Sequence, residues 1–152
     1  MKKPKFDLLA AHRYFSAYCF NQAWELIEKP SRAPQEDEEL VRLNQASIWH
    51  WTQREDCTDR NLSIGYWQAS RIYALLERAE EALRYARLCL EHSQAQPPFY
   101  LGYAYETLAR AEALAGNPQE AGRHLSRAFE LAAAVADAEE RQILMADLES
   151  LL

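Results

Sequence analysis

From Phe6 to Glu28 the chain meets no glycine and no proline, while apolar residues recur at helical spacing: Leu8, Ala11, Phe15, Tyr18, Cys19, Ala23, Trp24 and Ile27. That scarcity of breakers runs throughout. The 152 residues hold 4 glycines and 6 prolines, too few for the many turns of a β-rich fold and enough for a helical one. The expected fold class is therefore all-α. The length fits one domain, residues 1–152, with its own core.

The breakers divide the chain into segments. "EKPSRAP" (28–34) closes the first helix through two prolines; a break near Cys19–Asn21, giving two shorter helices, stays open. A second helix starts near Gln35 and ends around Arg54–Cys57. Its "EDEE" run (36–39) sits at the positive end of the helix dipole, with an acidic recognition patch as the alternative. Thr58, Asp59 or Asn61 offers the next N-cap. Helices then span about 62–77 and 79–93. "AQPPF" (95–99) connects to a helix from Tyr100 to Ala115. "GNP" (116–118) stops and restarts the chain: Gly116 ends a helix, Asn117 caps the next and Pro118 takes its first position. That helix runs to about Ala136. A last one, from Ala138 to Ser150, puts Leu144, Leu148 and Leu151 on one stripe.

Charge and motif content narrow the function classes. A net charge of −6 argues against nonspecific binding to nucleic acid or anionic membrane, and arginines interleave with acids in "ERAEEALRYARL" (77–88). The basic "MKKPK" start leads into no long apolar run, so neither a signal peptide nor an anchor is expected. Cys19, Cys57 and Cys89 are isolated and odd in number, which makes a cytoplasmic setting the expectation. His12, His50, His92 and His124 fall on four helices, none with a second His or Cys at i+3 or i+4. Glycines 65, 102, 116 and 122 form no phosphate loop, and no Gly-x-Ser-x-Gly elbow occurs. No catalytic residue, metal or cofactor is expected.

Two segments match each other. "YWQASRIYALLERAEEALRYARLCL" (66–90) aligns with "YETLARAEALAGNPQEAGRHLSRAF" (105–129), and Ala82 and Ala121 stand 121 − 82 = 39 residues apart. Small residues at Ser70/Ala109, Ala82/Ala121 and Cys89/Ala128 let paired helices approach closely. With Tyr66, Ala69, Tyr73 and Ala86 in the first copy, and Tyr105, Leu108 and Leu125 in the second, the pattern resembles the tetratricopeptide repeat family, built of helix–turn–helix units. Departures exist. Glu112 stands where the second aromatic belongs, Gln94 and Ala133 replace the closing proline, and "PPFYL" lengthens the link.

The resemblance covers roughly 62–135. It implies antiparallel helix pairs stacked as a short right-handed superhelix. Residues 1–57 form an N-terminal long helix pair, 62–135 two repeats, and 137–152 a C-terminal capping helix. It further implies a non-catalytic scaffold whose concave face binds a protein or peptide. Carried over position by position, the groove holds Ile64, Trp67, Arg71, Ala74 and Leu75 from the first copy, and Tyr103, Glu106, Arg110, Ala113 and Leu114 from the second. Independently, the helical wheel sets Arg71 among Trp67, Ile64 and Leu75, and a charge on an apolar stripe needs a partner. That partner is either a ligand carboxylate held with Arg110, or an internal acid such as Glu106.

Two other readings compete: an enzyme or small-ligand binder with a pocket between the N-terminal helices and the repeats, and a structural homo-oligomer. The chain has 4 Trp and 8 Tyr, and surface aromatics favour interfaces. "WELIE" (24–28) and the C-terminal leucine stripe are homodimer candidates, or else intramolecular core. In "SIWHW" (47–51) the wheel puts Trp51 in the core with Leu40, Leu43 and Ser47, His50 at the boundary, and Trp49 on the polar side. Trp49 is the candidate interface residue.

Overall fold

The computed structural model describes residues 5–152; Met1 to Pro4, most of the basic start, lie outside the described residues. Seven helices follow in order: α1 Leu8–Ile27, α2 Pro34–Thr52, α3 Asp59–Leu75, α4 Ala79–Ser93, α5 Pro98–Leu114, α6 Pro118–Ala133 and α7 Ala138–Glu149. Consecutive helices pack on one another, α3 also touches α5, and α7 lies on α5 and α6. The described residues contain no strand.

Local chemistry sets the boundaries. Prolines 34, 98 and 118 each take a first helical position, where the missing N–H costs nothing. Asp7 and Asp137 cap α1 and α7 by accepting from backbone amides within three residues. Glu36, from the acidic run, accepts from the Ala33 N–H at 2.8 Å and pairs with Lys29; Asp37 pairs with Arg32. Both acids are thus used at the helix entry. α1 is a single helix with no break near Cys19. α3 starts at Asp59, three residues before the expected Leu62, because Asn61 accepts from the Thr58 N–H at 2.9 Å and fixes Thr58 as the cap. α5 starts at Pro98 rather than Tyr100, and α6 ends at Ala133 rather than Ala136. Asn117 occupies the cap position, but its amide donates to Glu112 at 2.7 Å instead of capping α6.

The helices pair antiparallel. Between α1 and α2, Ser47 donates to the Ser16 carbonyl at 2.7 Å while His12 and His50 face each other through Nδ1 at 2.8 Å. Between α3 and α4, the Ser63 and Ser93 hydroxyls lie 2.6 Å apart at one end, and Ser70 donates to the Ala82 carbonyl at 2.8 Å near the other. The repeat is visible in backbone detail. α3 ends with Glu77 N–H on Ala74 and Arg78 N–H on Tyr73; α5 ends with Gly116 N–H on Ala113 and Asn117 N–H on Glu112, at the same 3.1 and 2.9 Å. Both are Schellman caps. They are offset by 116 − 77 = 39 residues, the offset of Ala82 and Ala121. Ala82, Ala86, Cys89, Ala109 and Ala128 are buried, as close packing of small residues requires, while Ala121 is only half-buried.

The buried stripe of α2 is Leu40, Asn44, Ser47 and Ile48, so Trp51 is half-buried at its edge instead of in the core. The reason is the approach of α3. Gly65 has no Cβ, and one placed there would meet Ile48 Cγ1 at 2.9 Å. Asn44 donates to the Gly65 carbonyl at 3.1 Å. This contact turns α2 so that Asn44 and Ile48 face α3, and the Arg54 guanidinium lies over the Trp51 ring at 3.7 Å. Of the C-terminal stripe, Leu144 and Leu148 are fully buried against the α5–α6 pair, while Leu151 is half-buried. Trp24, from the other homodimer candidate, packs its ring against Phe20 and Trp67.

Polar groups inside the stack bind three helices at once. Gln68, fully buried on α3, donates to the Phe20 carbonyl of α1 at 3.0 Å and accepts from Asn44 of α2 at 3.1 Å. Truncating it removes both bonds and strands one N–H of the buried Asn44 amide, whose other bond goes to Gly65. Gln68→Ala should therefore lower unfolding free energy by about 3 kcal/mol in urea titrations. Conversely, Glu77 holds φ at +57° where its repeat mate is Gly116 at +80°. Glu77→Gly should raise stability by about 1 kcal/mol by the same measurement, since the left-handed region penalises a Cβ.

Candidate functional site

α3 and α5 run side by side. The Thr107 hydroxyl donates to Ser70 at 2.8 Å, and the Trp67 and Tyr103 rings meet edge-on at 5.3 Å. On α3, Ile64, Trp67, Arg71, Ala74 and Leu75 recur at three- and four-residue spacing and so share one face. That face borders two clefts. One, of about 260 Å³, is lined by Ser63, Ile64, Trp67, Cys89, Phe99, Tyr100 and Tyr103. The other, of about 270 Å³, is lined by Arg71, Ala74, Leu75, Arg110 and Leu114. Ala113 instead borders a separate cleft with Ala109, Pro118, Ala121 and the C-terminal leucines.

Trp67, Glu106 and Arg110 join the two clefts. Trp67 Nε1 donates to Glu106 Oε2 at 3.1 Å, and Arg110 donates to Glu106 Oε1 through Nε at 3.1 Å and Nη2 at 2.6 Å. Glu106 is only 1% exposed. It is a buried acceptor for two partners, not a groove contact as its position in the repeat implied. Its partner is Arg110, one helical turn away on α5, and not Arg71. Of the two alternatives for Arg71, the internal pair with Glu106 does not form, because Glu106 is already engaged by Arg110 at i,i+4 within α5.

Arg71 is therefore the exceptional group. It is half-buried, and among the described residues no carboxylate lies within 4.0 Å of its guanidinium and its side chain makes no hydrogen bond. Burial, and then the charge of Arg110, pull its pKa below the ordinary arginine value; Glu106, Asp147 and Tyr103 act the other way without offsetting them. An arginine so placed stays charged and holds unused donor capacity. Tyr103 is occupied at its polar end: its hydroxyl donates to Asp147 of α7 at 2.6 Å, and burial plus that bond push its pKa well up. Trp67 is held between the Trp24 and Tyr103 rings, leaving Ile64, Phe99 and Tyr100 to complete the apolar cleft.

Phe99 and Tyr100 belong to the first turn of α5, not to a lengthened link. The signal for them was present: Pro98 at a first helical position, the same sign that marks Pro118. Cys89 and Ser63 reach this cleft from the α3–α4 interface; burial drives the Cys89 thiol up to about 12, against the opposing bonds from Ser63 and Ser93. At neutral pH that sulfur is a thiol rather than a nucleophilic thiolate.

A further cleft of about 220 Å³ lies between the N-terminal pair and α3, lined by Ala17, Phe20, Asn21, Trp51, Asn61, Ile64 and Gly65, none of them ionisable. His12 and His50 are elsewhere, paired to one another, and burial together with His12 pulls the His50 pKa down. Trp49 is 54% exposed, and its ring meets the His12 and His50 rings in T-shaped contacts. No helix among the described residues is long and apolar enough to cross a membrane.

The paired Glu106 and the unpaired Arg71 should behave oppositely on substitution. Glu106→Ala strands Arg110 and the Trp67 N–H and should cost about 3 kcal/mol in chemical denaturation. Arg71→Met removes an unpaired half-buried charge and should leave stability within about 1 kcal/mol of the parent or raise it. Comparison with family models, with curated proteins and with solved structures finds no match to this chain.

Proposed function

We propose that the chain is a non-catalytic, tetratricopeptide-like scaffold that binds a protein or peptide segment along the α3–α5 face. In this reading α1–α2, α3–α4 and α5–α6 are successive units of a short right-handed superhelix, and α7 caps it. The recurring Schellman cap and the 39-residue offset support the repeat, and the Leu144 and Leu148 side chains buried on α5–α6 support the cap. A cytoplasmic setting accords with Cys19, Cys57 and Cys89 standing as free thiols.

The observation that carries the binding role is Arg71. A half-buried guanidinium beside a second arginine, with no acceptor among the described residues, keeps its donors open to solvent and free for an anion. The bound segment supplies a carboxylate to Arg71. It also supplies an apolar side chain to the cleft of Ile64, Trp67, Phe99, Tyr100 and Tyr103. Arg110 contributes positive charge but is already committed to Glu106, so Arg71 is the residue that discriminates.

The test uses an array of synthetic peptides carrying one Asp or Glu at varied distances from one Leu or Phe, each also made with Asn or Gln in place of the acid. Acidic peptides with the apolar residue should be retained and their amide versions lost. Arg71→Met should weaken fluorescence-anisotropy affinity at least about tenfold, the value of a charge-assisted hydrogen bond, while the protein stays folded with stability within about 1 kcal/mol of the parent or above it. Equal binding by acid and amide peptides, or by parent and Arg71→Met protein, would sink this reading.

A further inference from the structure

His12 on α1 and His50 on α2 face each other with their Nδ1 atoms 2.8 Å apart. His12 is buried and His50 half-buried. A neutral imidazole carries one N–H and one bare nitrogen. Two Nδ1 atoms this close form a hydrogen bond only when one ring donates and the other accepts. The pair then admits one further proton, on the free Nε2 of the donor ring, with the bond left in place. A second puts an N–H on both Nδ1 atoms. Two donors and two positive charges then point at each other.

The surroundings do not offset that repulsion. Phe15 stacks on His50 at 5.5 Å, and Trp49 meets His12 at 5.3 Å and His50 at 4.9 Å. Among the described residues no carboxylate comes within 4.0 Å of either ring. The charges nearest along the two helices are cations, Arg13 after His12 and Arg54 one turn beyond His50. Arg54 donates to the Ser16 hydroxyl and pairs with Asp56, the loop acid that Arg13 also reaches. Asp7 is engaged by the Ala10 N–H, and Tyr14 and Tyr18 stack on each other at the exposed side of α1. Burial raises the Cys19 thiol, so it stays neutral. Burial, and then the charge of His12, pull His50 below the ordinary histidine value.

Further along, α1 is held by bonds that do not titrate. Ser47 donates to the Ser16 carbonyl at 2.7 Å, and Gln68 to the Phe20 carbonyl at 3.0 Å. The histidines secure the turns before Ser16, and these bonds secure the turns after it. We propose that the His12–His50 pair is an acid-sensitive latch, whose second proton releases the first two turns of α1 from α2 while the helix from Ser16 onward stays docked. It acts independently of the α3–α5 groove. His50 takes its proton less readily docked than released. The stabilisation is therefore whole above the ordinary histidine range, about 6.5, and is lost as pH falls through it. Paired carboxylates lose their contribution only below about pH 5, so the two windows separate.

Hydrogen exchange of the purified full chain, read amide by amide by NMR at about pH 7.5 and about pH 5.5, tests the latch. Protection factors over residues 11–15 should fall at least about tenfold between the two, the linkage of one excluded proton, while those over 20–26 hold. His50→Asn keeps a polar amide against His12 but cannot titrate, so its protection over 11–15 should change by less than about twofold. Should that variant fail to fold, the ring nitrogen shifts of the parent decide. The pair should take up its first proton near the ordinary value and its second at least about one pH unit lower. Parent protection over 11–15 that ignores pH, a loss that spreads equally over 20–26, a His50→Asn protein that loses as much as the parent, or two rings that titrate together at the ordinary value would each overturn the proposal.

Discussion

The side-chain amide of Gln68 is the interaction on which the stacking depends. It lies on α3 with no exposure, gives its proton to the Phe20 carbonyl of α1 and takes one from Asn44 of α2. Two residues on, Ser70 donates to the Ala82 carbonyl of α4 and accepts from Thr107 of α5. One turn of α3 therefore fixes four neighbours. Helices that meet through alanine, glycine and serine approach closely enough for such bonds but bury little apolar area each. Directional polar contacts then set the register that bulky side chains would otherwise set. Among the described residues every buried side-chain nitrogen and oxygen has a partner, so this polar interior is complete.

That completeness gives the α3–α5 face its meaning. Glu106, Arg110 and Trp67 satisfy one another, and Tyr103 is satisfied by Asp147. These residues build the wall of the groove more than they offer it to a ligand. Arg71 is left over, at the junction of an apolar cleft and a cationic one. The outer side of α1 departs from satisfaction in the other currency: its aromatics have ring neighbours on one side and solvent on the other. The two faces thus differ in kind, one offering an uncommitted guanidinium and the other exposed aromatic rings.

Much of this was legible in local sequence. Pro34 and Pro118 start helices because a residue without an N–H fits a helix start, and Gly116 ends one because it alone tolerates φ of +80° without strain. Pro98 follows the same rule, and reading "AQPPF" as a connection overlooked it. Glu106 and Arg110 stand four apart on one helix, a spacing that pairs by itself, and this was a local reason to discount Glu106 as the partner of Arg71. The position of Trp51 was not. A helical wheel groups Leu40, Leu43, Ser47 and Trp51 equally well with or without α3 beside them. It is the missing Cβ of Gly65, and the hydrogen bond from Asn44 to its carbonyl, that turns α2 by about one residue.

What the sequence determined by itself is the helical class, the order of the segments and the 39-residue spacing between two matching segments. These rest on periodicity, on breakers and on small residues, all of which act within a turn or a hairpin. What only the tertiary structure decided is which polar groups are spent and which are left over. The aligned segments put Arg71 and Arg110 in equivalent places, but the buried Glu106 commits Arg110 and leaves Arg71 without a partner among the described residues. Likewise Trp24, Trp49, Trp51 and Trp67 differ little by composition and greatly by neighbours. Whether a side chain is covered depends on where a distant helix passes, and that distance is set by the packing of the whole stack.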